Sequence, residues 1–256
     1  LSAMSTKPFS RRQSLAALVG ACVMQPAAAG PLLHAARPLF GSPAELLLTR
    51  DAEPLTVAAV WSGLTAMNER WNAWKPKGLG PLNQALREGR SVKVDPSLRA
   101  LIDGAARLEV LSDGLFNAGL GGLVQAWGFH DDVLAPGPRP AAYTLARWRQ
   151  PRPSLSQLQW RGLDVRSPNP ALQLDFGGYA KGVAVDWALD QLQAAGVHGA
   201  VVDLGGNLAT LGNAGDRPWQ VGLRDPLRIG VMAQLATGER EAVITSGVYE
   251  RFRDLD

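Results

Sequence analysis

The run Leu174–Asp186, with the sequence L-D-F-G-G-Y-A-K-G-V-A-V-D, constrains this chain more than any other segment. It predicts a strand end that leads to Asp175 and a Phe-Gly-Gly turn, followed at once by a helix with Lys181 in its first turn. Adjacent glycines permit positive φ and a close approach of a ligand to the main chain. The N-terminus of a helix attracts phosphate. The run is compatible with a phosphate-binding turn or with a tight strand–helix connection and a surface lysine.

The charge balance gives no indication of a nucleic-acid surface. The formal net charge is +3, and Lys7, Arg11 and Arg12 are the charged residues that precede Gly30. Without these three, the basic residues equal the 23 acidic residues in number. No nucleic-acid partner is therefore expected. Cys22 is the single cysteine, and the three histidines lack a paired ligand spacing, so neither a disulfide nor a zinc site is expected.

Residues 1–29 predict an export signal. The paired Arg11-Arg12 precedes an apolar run, Leu15–Met24, and small residues up to Gly30. This order is typical of a signal peptide, and the paired arginines resemble the twin-arginine signal. Cleavage after Ala29 would leave an exported, periplasmic protein. The residues around Cys22 also resemble a lipoprotein box, so the mature chain would contact a membrane only if Cys22 is lipidated.

The rest of the chain predicts an α+β fold. Residues 30–38 predict a tether, and residues 39–256 predict one domain that packs helices on a mixed or mainly antiparallel sheet. Helices are predicted at about 55–71, from the Asp95 N-cap onward, at 141–149, and from the Gly-Gly turn to Gly196. Strands are predicted at 91–94, 155–160, 171–174, 200–204, 219–223, 231–236 and 241–245. Thr237-Gly238 predicts a hairpin between the last two, and Trp61 and Trp71 are predicted to lie in the core.

Four further segments could line a site. Residues 114–129 carry no charge and predict a buried loop or a ligand cradle. A second Gly-Gly turn follows a strand end in residues 203–207, residues 219–226 end a strand with a charged pair, and residues 245–247 combine two hydroxyls with a glycine. Each segment alone is typical of an ordinary turn. Together they predict a pocket for a flat ligand that carries phosphate.

These motifs resemble those of the ApbE-like FAD:protein FMN transferase family. The resemblance runs from about Phe40 to the last residue. The motifs that carry it are L-D-F-G-G-Y-A-K-G-V-A-V-D (174–186), D-L-G-G-N (203–207), W-Q-V-G-L-R-D-P (219–226), V-I-T-S-G-V-Y-E-R (243–251) and the degraded G-L-F-N-A-G-L-G-G-L-V-Q-A-W-G-F (114–129). The resemblance implies a single α+β domain in an exported protein that binds FAD.

The resemblance also implies an activity. Members of the family use Mg²⁺ to transfer FMN from FAD onto a threonine or serine hydroxyl in the flavinylation motif of a partner flavoprotein, and AMP is released. Two alternatives stay open at this point. The chain could hydrolyse FAD to FMN and AMP as a pyrophosphatase, or it could be a non-catalytic flavin-binding homologue.

Site residues follow from the motif positions. The Gly178 carbonyl is implied as one metal ligand. Trp74 replaces a tyrosine that contacts the cofactor, and Phe40 stands at the Met-Gly-Thr segment of the family. The residues implied to bind the flavin nucleotide are Phe40, Trp74, Leu115, Phe116, Asn117, Asp175 and Lys181.

This chain departs from the family pattern at several positions. Asn117 stands where an aspartate is usual, and Gly119 where a threonine is frequent. Residues 74–78, W-K-P-K-G, replace a tyrosine-arginine-proline-aspartate-serine pattern. The His-x-Ile-Asp-Pro motif, the later Asp and Thr metal ligands and the catalytic residues are expected beyond Asp256. We therefore expect the sequence to be a C-terminal truncation of a longer protein, and we expect the fragment itself to be inactive.

Overall fold

The computed structural model of the protein describes residues 22–24, 32–131, 134–247 and 252–255. Its helices are α1 (Pro54–Arg70), α2 (Gly80–Arg87), α3 (Pro96–Leu111), α4 (Gly121–Ala126), α5 (Ala142–Ala146) and α6 (Ala180–Ala194). Its strands are β1 (Cys22–Met24), β2 (Leu33–Leu39), β3 (Ser42–Leu48), β4 (Val92–Lys93), β5 (Gln159–Arg161), β6 (Asp164–Arg166), β7 (Gly199–Leu204), β8 (Asn207–Gly212), β9 (Gln220–Arg224), β10 (Val231–Ala236) and β11 (Arg240–Ile244). These elements form two compact units.

The first unit contains the described residues of Leu1–Val57 and Ala188–Ser246. Its larger sheet has the strand order β11-β8-β7-β3-β2, and its smaller sheet has the order β1-β9-β10, with antiparallel pairing throughout both. Strand β7 lies in the middle of the larger sheet, and all of its residues are buried. This explains its near-continuous apolar sequence, since a strand covered on both faces does not alternate.

The second unit contains Ala58–Trp187 and the described residues of Gly247–Asp256. Helix α3 begins as its sequence predicts, because the Asp95 carboxylate accepts the N–H groups of Ser97 and Leu98, each at 2.9 Å. A small antiparallel sheet with the order β4-β6-β5 lies in the same unit. The prediction that Trp61 and Trp71 lie in the core is confirmed, since both side chains are buried.

Most predicted elements are present, and three predictions need correction. Residues 171–174 are not a strand, and the predicted strand at 155–160 is a 3₁₀ turn followed by β5. The stretch predicted as a tether contains β2 from Leu33 onward. The elements that no sequence prediction covers are helices α2 and α4 and strands β1, β2, β3, β6 and β8.

The hairpin predicted at Thr237-Gly238 is wrong as well. Strand β10 pairs with β9, whereas β11 pairs with β8, so the two strands belong to different sheets. The Thr237 N–H donates to the Trp219 carbonyl at 3.0 Å, and the Glu239 carbonyl accepts from the Gly212 N–H at 2.6 Å. These two hydrogen bonds attach the two ends of the connection to different sheets.

The predicted export signal lies largely outside the described residues. The exception is Cys22–Met24, which forms β1 and pairs with β9. Within the described ranges, no helix combines the length and the apolar character that a bilayer crossing requires.

Candidate functional site

The structure brings the uncharged loop and the Gly-Gly turn side by side. The Gln173 N–H donates to the Gly119 carbonyl at 3.1 Å, and the Gln173 carbonyl accepts from the Gly121 N–H at 2.8 Å. The Asp175 N–H donates to the Ala118 carbonyl at 2.9 Å. Residues 171–174, predicted as a strand, therefore form a short extended segment that is paired with the loop rather than with a sheet. This pairing places residues 114–121 beside the turn that follows Asp175.

A buried asparagine fixes the extended segment on its other side. The Asn83 side chain donates to the Leu174 carbonyl at 2.9 Å and accepts from the Leu174 N–H at 2.7 Å. Asn83 is buried on α2. Since both backbone groups of Leu174 depend on this one amide, its loss would leave buried polar groups unsatisfied. Gly80-Pro81 at the start of α2 was the available sequence signal for this helix.

The Gly-Gly turn is an Asx turn. The Asp175 Oδ1 accepts from the Gly177 N–H at 2.8 Å, and α6 begins three residues later, so the predicted position of Lys181 in the first helical turn is confirmed. Adjacent glycines permit positive φ, but neither Gly177 nor Gly178 adopts it. Gly177 instead provides space, since a Cβ there would lie 3.1 Å from the Asp175 Oδ1. Both glycines are exposed, which leaves the main chain open to a ligand.

Phe116 packs against this turn. A Cβ on Gly178 would lie 3.7 Å from the Phe116 ring, and the rings of Phe116 and Tyr179 meet edge to face with centroids 6.1 Å apart. Tyr179 in turn lies over Gly104 of α3, where an added Cβ would come within 2.2 Å of the tyrosine oxygen. No sequence pattern predicts a role for Tyr179 or Gly104. Their contact is non-local, so the local pattern contained no signal for it.

Asn117 has a local structural reason to differ from aspartate. Its Nδ2 donates to the Pro153 carbonyl at 2.7 Å, and its Oδ1 accepts from the Gly119 N–H at 2.8 Å. An ionised carboxylate can only accept, so it could not make the first bond. A Cβ on Gly119 would lie 3.1 Å from the same Oδ1. The two departures from the family pattern are therefore parts of one local arrangement.

Leu115 presents an apolar surface beside Phe116. Its side chain is 92% exposed, although the residue belongs to an ordered turn in which its N–H donates to the Ser112 carbonyl at 2.9 Å. An exposed leucine alone is unremarkable in a soluble protein. It directly precedes the half-buried Phe116 in the sequence, and its contact with the flavin stays a prediction.

Trp74 and Phe40 are the other two residues predicted to contact the cofactor. Trp74 is half-buried, and its ring lies 5.7 Å from that of His130, between ring centroids. The Trp74 ring therefore lies close to His130, which directly follows segment 114–129. Phe40 belongs to the first unit, where it has a positive φ of 53° between β2 and β3. Such a φ is unusual for a bulky residue.

The predicted metal ligand set is incomplete within the described part of the chain. No group of three or more His, Cys, Asp or Glu side chains that could hold a metal ion is found there. Asp175 and the Gly178 carbonyl could supply oxygen ligands, whereas Mg²⁺ requires six, some of them water or phosphate oxygens. These two groups would therefore supply only part of a magnesium site.

Comparison with protein families gives a match over most of the chain. A model described as the ApbE family matches residues 40–256. An FAD:protein FMN transferase from Rhodobacter capsulatus is 42% identical over 205 residues, which are 80% of this chain and 38% of that protein. One with the same name from Treponema pallidum is 36% identical over 184 residues, or 64% of this chain and 49% of that protein.

Solved structures show the same fold. The ApbE protein of Thermotoga maritima has a TM-score of 0.74 at 21% identity, and the match covers 86% of this chain and 72% of that one. The apo form of the Pseudomonas stutzeri flavinyl transferase ApbE has a TM-score of 0.66 at 24% identity, with 80% of this chain and 66% of that one covered.

The two solved structures show that the chain has the fold of a single α+β domain with mainly antiparallel sheets. The fold class predicted from the sequence is therefore confirmed. The chain belongs to the ApbE family. It spans half or less of the length of the curated relatives described above.

Proposed function

We propose that the chain is part of an FAD:protein FMN transferase. The enzyme would use Mg²⁺ to transfer FMN from FAD to a threonine or serine hydroxyl of a partner flavoprotein, with release of AMP. The observation that carries this proposal is the paired arrangement of residues 114–121 with the Asp175 turn. The 42% identity to an FAD:protein FMN transferase supports it.

The residues of the chain would mainly bind and orient the nucleotide. Leu115 and Phe116 offer apolar surface to a flat ring system. The exposed glycines and Lys181 in the first turn of α6 offer main-chain access and a cation to a phosphate. Asp175 would take part in a polar contact beside them. When bound, Mg²⁺ would neutralise the charge that develops as the pyrophosphate bridge breaks.

In the proposed reaction the hydroxyl oxygen of the acceptor bonds to the FMN phosphorus, and the bond between this phosphorus and the bridging oxygen breaks. AMP leaves with the bridging oxygen. The O–H bond of the acceptor breaks as well, and its proton passes to solvent. If water replaces the hydroxyl, the same step gives FMN and AMP, which is the pyrophosphatase alternative.

A non-catalytic flavin-binding role is the second candidate. Asn117 and Gly119 favour it, because the hydrogen bonds of Asn117 to Pro153 and Gly119 replace the carboxylate that is usual in the family. The transferase remains our proposal, since this substitution lies in the loop and leaves the Asp175 turn intact.

Incubation of the full-length protein with FAD, Mg²⁺ and an acceptor that carries a flavinylation motif separates the candidates. Covalent flavin on the acceptor, detected by in-gel fluorescence and mass spectrometry, is the expected result. AMP without a labelled acceptor would indicate the pyrophosphatase. Quenched flavin fluorescence with neither product would indicate a binding protein. An acceptor in which the target hydroxyl residue is replaced by alanine is the matched control.

We also propose export by the twin-arginine route, with Arg11-Arg12 as its signal. Replacement of both arginines by lysine should retain the protein in the cytoplasm, as judged by fractionation. Export that persists in this variant would indicate the general secretory route. Labelling with a radioactive fatty acid would test whether Cys22 is lipidated, with Cys22→Ala as the control.

A further inference from the structure

A cavity in the second unit opens beside the Gln173 segment. Its volume is about 320 Å³. The polar residues that line it, together with one tryptophan, are Arg87, Gln125, Thr144, Arg147, Trp148 and Gln173. We call it the Gln173 pocket. None of the described residues that line it is acidic, so it combines two cations with hydrogen-bond donors and has no carboxylate to neutralise them.

Gln173 is a buried polar side chain in this pocket. It is 7% exposed, and its Oε1 accepts from Arg87 at 3.4 Å. None of the hydrogen bonds among the described residues uses its side-chain nitrogen as donor, so the amide can donate to a ligand in the pocket.

A second buried donor lies on the wall of the pocket. Trp148 is 9% exposed, and its Nε1 finds no acceptor in the described part of the chain. The indole packs on Gly122, where an added Cβ would lie 3.0 Å from the ring. The Arg147 guanidinium carbon lies 5.2 Å from the centre of the same ring. Trp148 therefore forms a flat wall beside the cation.

The charge of the pocket distinguishes it from its neighbour. A second cavity of about 360 Å³ shares Arg87 but is also lined by Glu88. The Glu88 carboxylate accepts hydrogen bonds from the side chains of Gln84 and Arg90, which are close to it in the sequence. The lining of the neighbouring cavity therefore carries both signs of charge, whereas the charged residues that line the Gln173 pocket are both cations.

We propose that the Gln173 pocket binds the phosphate group of a small phosphate monoester. Two guanidinium groups match the double charge of a phosphate better than that of a single carboxylate, and arginine pairs well with phosphate oxygens. The amide of Gln173 supplies a further donor. Trp148, Ala126 and Ala171 give the organic part an apolar wall. The volume leaves room for a phosphate together with a small ring.

Occupation of the pocket would be coupled to the candidate flavin site. The main chain of Gln173 is bonded to Gly119 and Gly121, and Asp175 follows two residues later. A Cβ on Gly121 would lie 3.1 Å from the Gln173 side chain and 3.3 Å from that of Asp175. The ligand of the pocket would therefore support the segment that positions Asp175. The pocket itself does not depend on the transferase proposal.

Calorimetric titration of the full-length protein tests this site at low ionic strength. The probes are phenyl phosphate, inorganic phosphate and benzoate. We expect phenyl phosphate to bind and benzoate to bind at least about tenfold more weakly, because the carboxylate carries one charge. If inorganic phosphate binds as tightly as phenyl phosphate, the ligand of the pocket is free phosphate and the monoester proposal is wrong. If inorganic phosphate binds more weakly than phenyl phosphate, the monoester proposal is supported.

The variant Arg87→Gln with Arg147→Gln should weaken phenyl phosphate binding by at least about tenfold. Both side chains are exposed, so the fold should persist. Arg149→Gln, an equal loss of charge on an exposed residue near Arg147, should change binding by less than about twofold. Binding of benzoate equal to that of phenyl phosphate, no binding of either phosphate, or equal effects of the double variant and the control would overturn the proposal.

Discussion

The chain contains two Asp-x-Gly-Gly turns, at residues 175–178 and 203–206, and their glycines serve different purposes. In both turns the aspartate Oδ1 accepts a glycine N–H. Asp175 accepts from Gly177 at 2.8 Å, and Asp203 accepts from Gly206 at 2.7 Å. The first turn leads into α6, and the second connects β7 with β8.

The difference lies in conformation and burial. Gly205 and Gly206 have φ values of 61° and 84°, whereas the glycines of the first turn avoid this region. Asp203 is 6% exposed, and Asp175 is half-buried beside exposed glycines. The glycines of the second turn are therefore required by the backbone. Those of the first leave space around an accessible main chain, as a ligand site requires.

The double substitution Gly205→Ala with Gly206→Ala should break the second turn. Each alanine would have to adopt a left-handed conformation, at a cost of about 1–2 kcal/mol per residue. We expect the free energy of unfolding to fall by about 2–4 kcal/mol in urea denaturation. Gly178→Ala is the matched control, with an expected change below about 0.5 kcal/mol. A control that destabilises as much as the double variant would contradict the distinction between the turns.

The two aspartates should differ in the same direction. Asp203→Ala leaves the buried Gly206 N–H without its acceptor, so the free energy of unfolding should fall by about 1–3 kcal/mol. Asp175→Ala affects a more exposed turn and should cost less than about 1 kcal/mol. Urea denaturation of both variants measures the contrast, and equal losses would show that the first turn is as structural as the second.

Gly104→Ala should disturb the first turn through the Tyr179 ring, which contacts Gly104 of α3. The added methyl would overlap the Tyr179 oxygen and displace a ring that contacts Phe116, at a cost of about 1–2 kcal/mol. Tyr179→Phe removes that oxygen, and the next ring atom lies 3.3 Å from the added methyl. The double variant should therefore recover most of the loss in a thermodynamic cycle. If the double variant recovers none of the lost stability, the overlap with the Tyr179 oxygen is not the cause of the loss.

Asp51 provides a third comparison. Its carboxylate also accepts a backbone N–H, from His198, but no Gly-Gly turn follows it. Burial raises its pKa, but hydrogen bonds from Thr49 and from the backbone and ring of His198 outweigh burial and lower the pKa from 3.8 to about 2. Because the folded-state pKa is depressed, Asp51 stabilises the fold above pH 3.8, and this contribution is lost as the pH falls toward 2.

The variant Asp51→Asn should show this dependence. Allowing for solvent screening of a partly exposed side chain, we expect a loss of about 1 kcal/mol at neutral pH. The difference from the wild type should shrink in denaturation curves below pH 4. A difference that stays constant down to pH 2 would show that the carboxylate charge contributes nothing.

Local signals predicted the elements that carry local caps. Asp95-Pro96 predicted the start of α3, and Gly196, with a φ of 82°, follows the end of α6 as expected. The turn signal at Thr237-Gly238 failed, because a turn dipeptide does not determine which strand its neighbours pair with. Residues 171–174 have the apolar composition of a strand, but their partner is a loop.

The candidate site shows the same limit. The motif placed Lys181 correctly in a first helical turn, but the strand predicted before Asp175 is an extended segment that pairs with a loop. The Asp-x-Gly-Gly pattern alone did not predict that only the second turn has glycines with positive φ. The φ of these glycines depends on the direction that the following chain takes. The clamp from Asn83 and the contact of Tyr179 with Gly104 join residues that are far apart in sequence. A single sequence contains no local signal for such contacts.

Titration of FAD into the full-length protein tests the central claim most directly, with Asp175→Ala compared with Asp203→Ala. We predict that Asp175→Ala weakens FAD binding by about tenfold or more, because its carboxylate lies at the proposed nucleotide contact. The folded fraction of Asp203→Ala should bind FAD within about twofold of the wild type, because the side chain is buried away from solvent. Unchanged FAD affinity in Asp175→Ala would contradict the assignment of the first turn as the flavin nucleotide site.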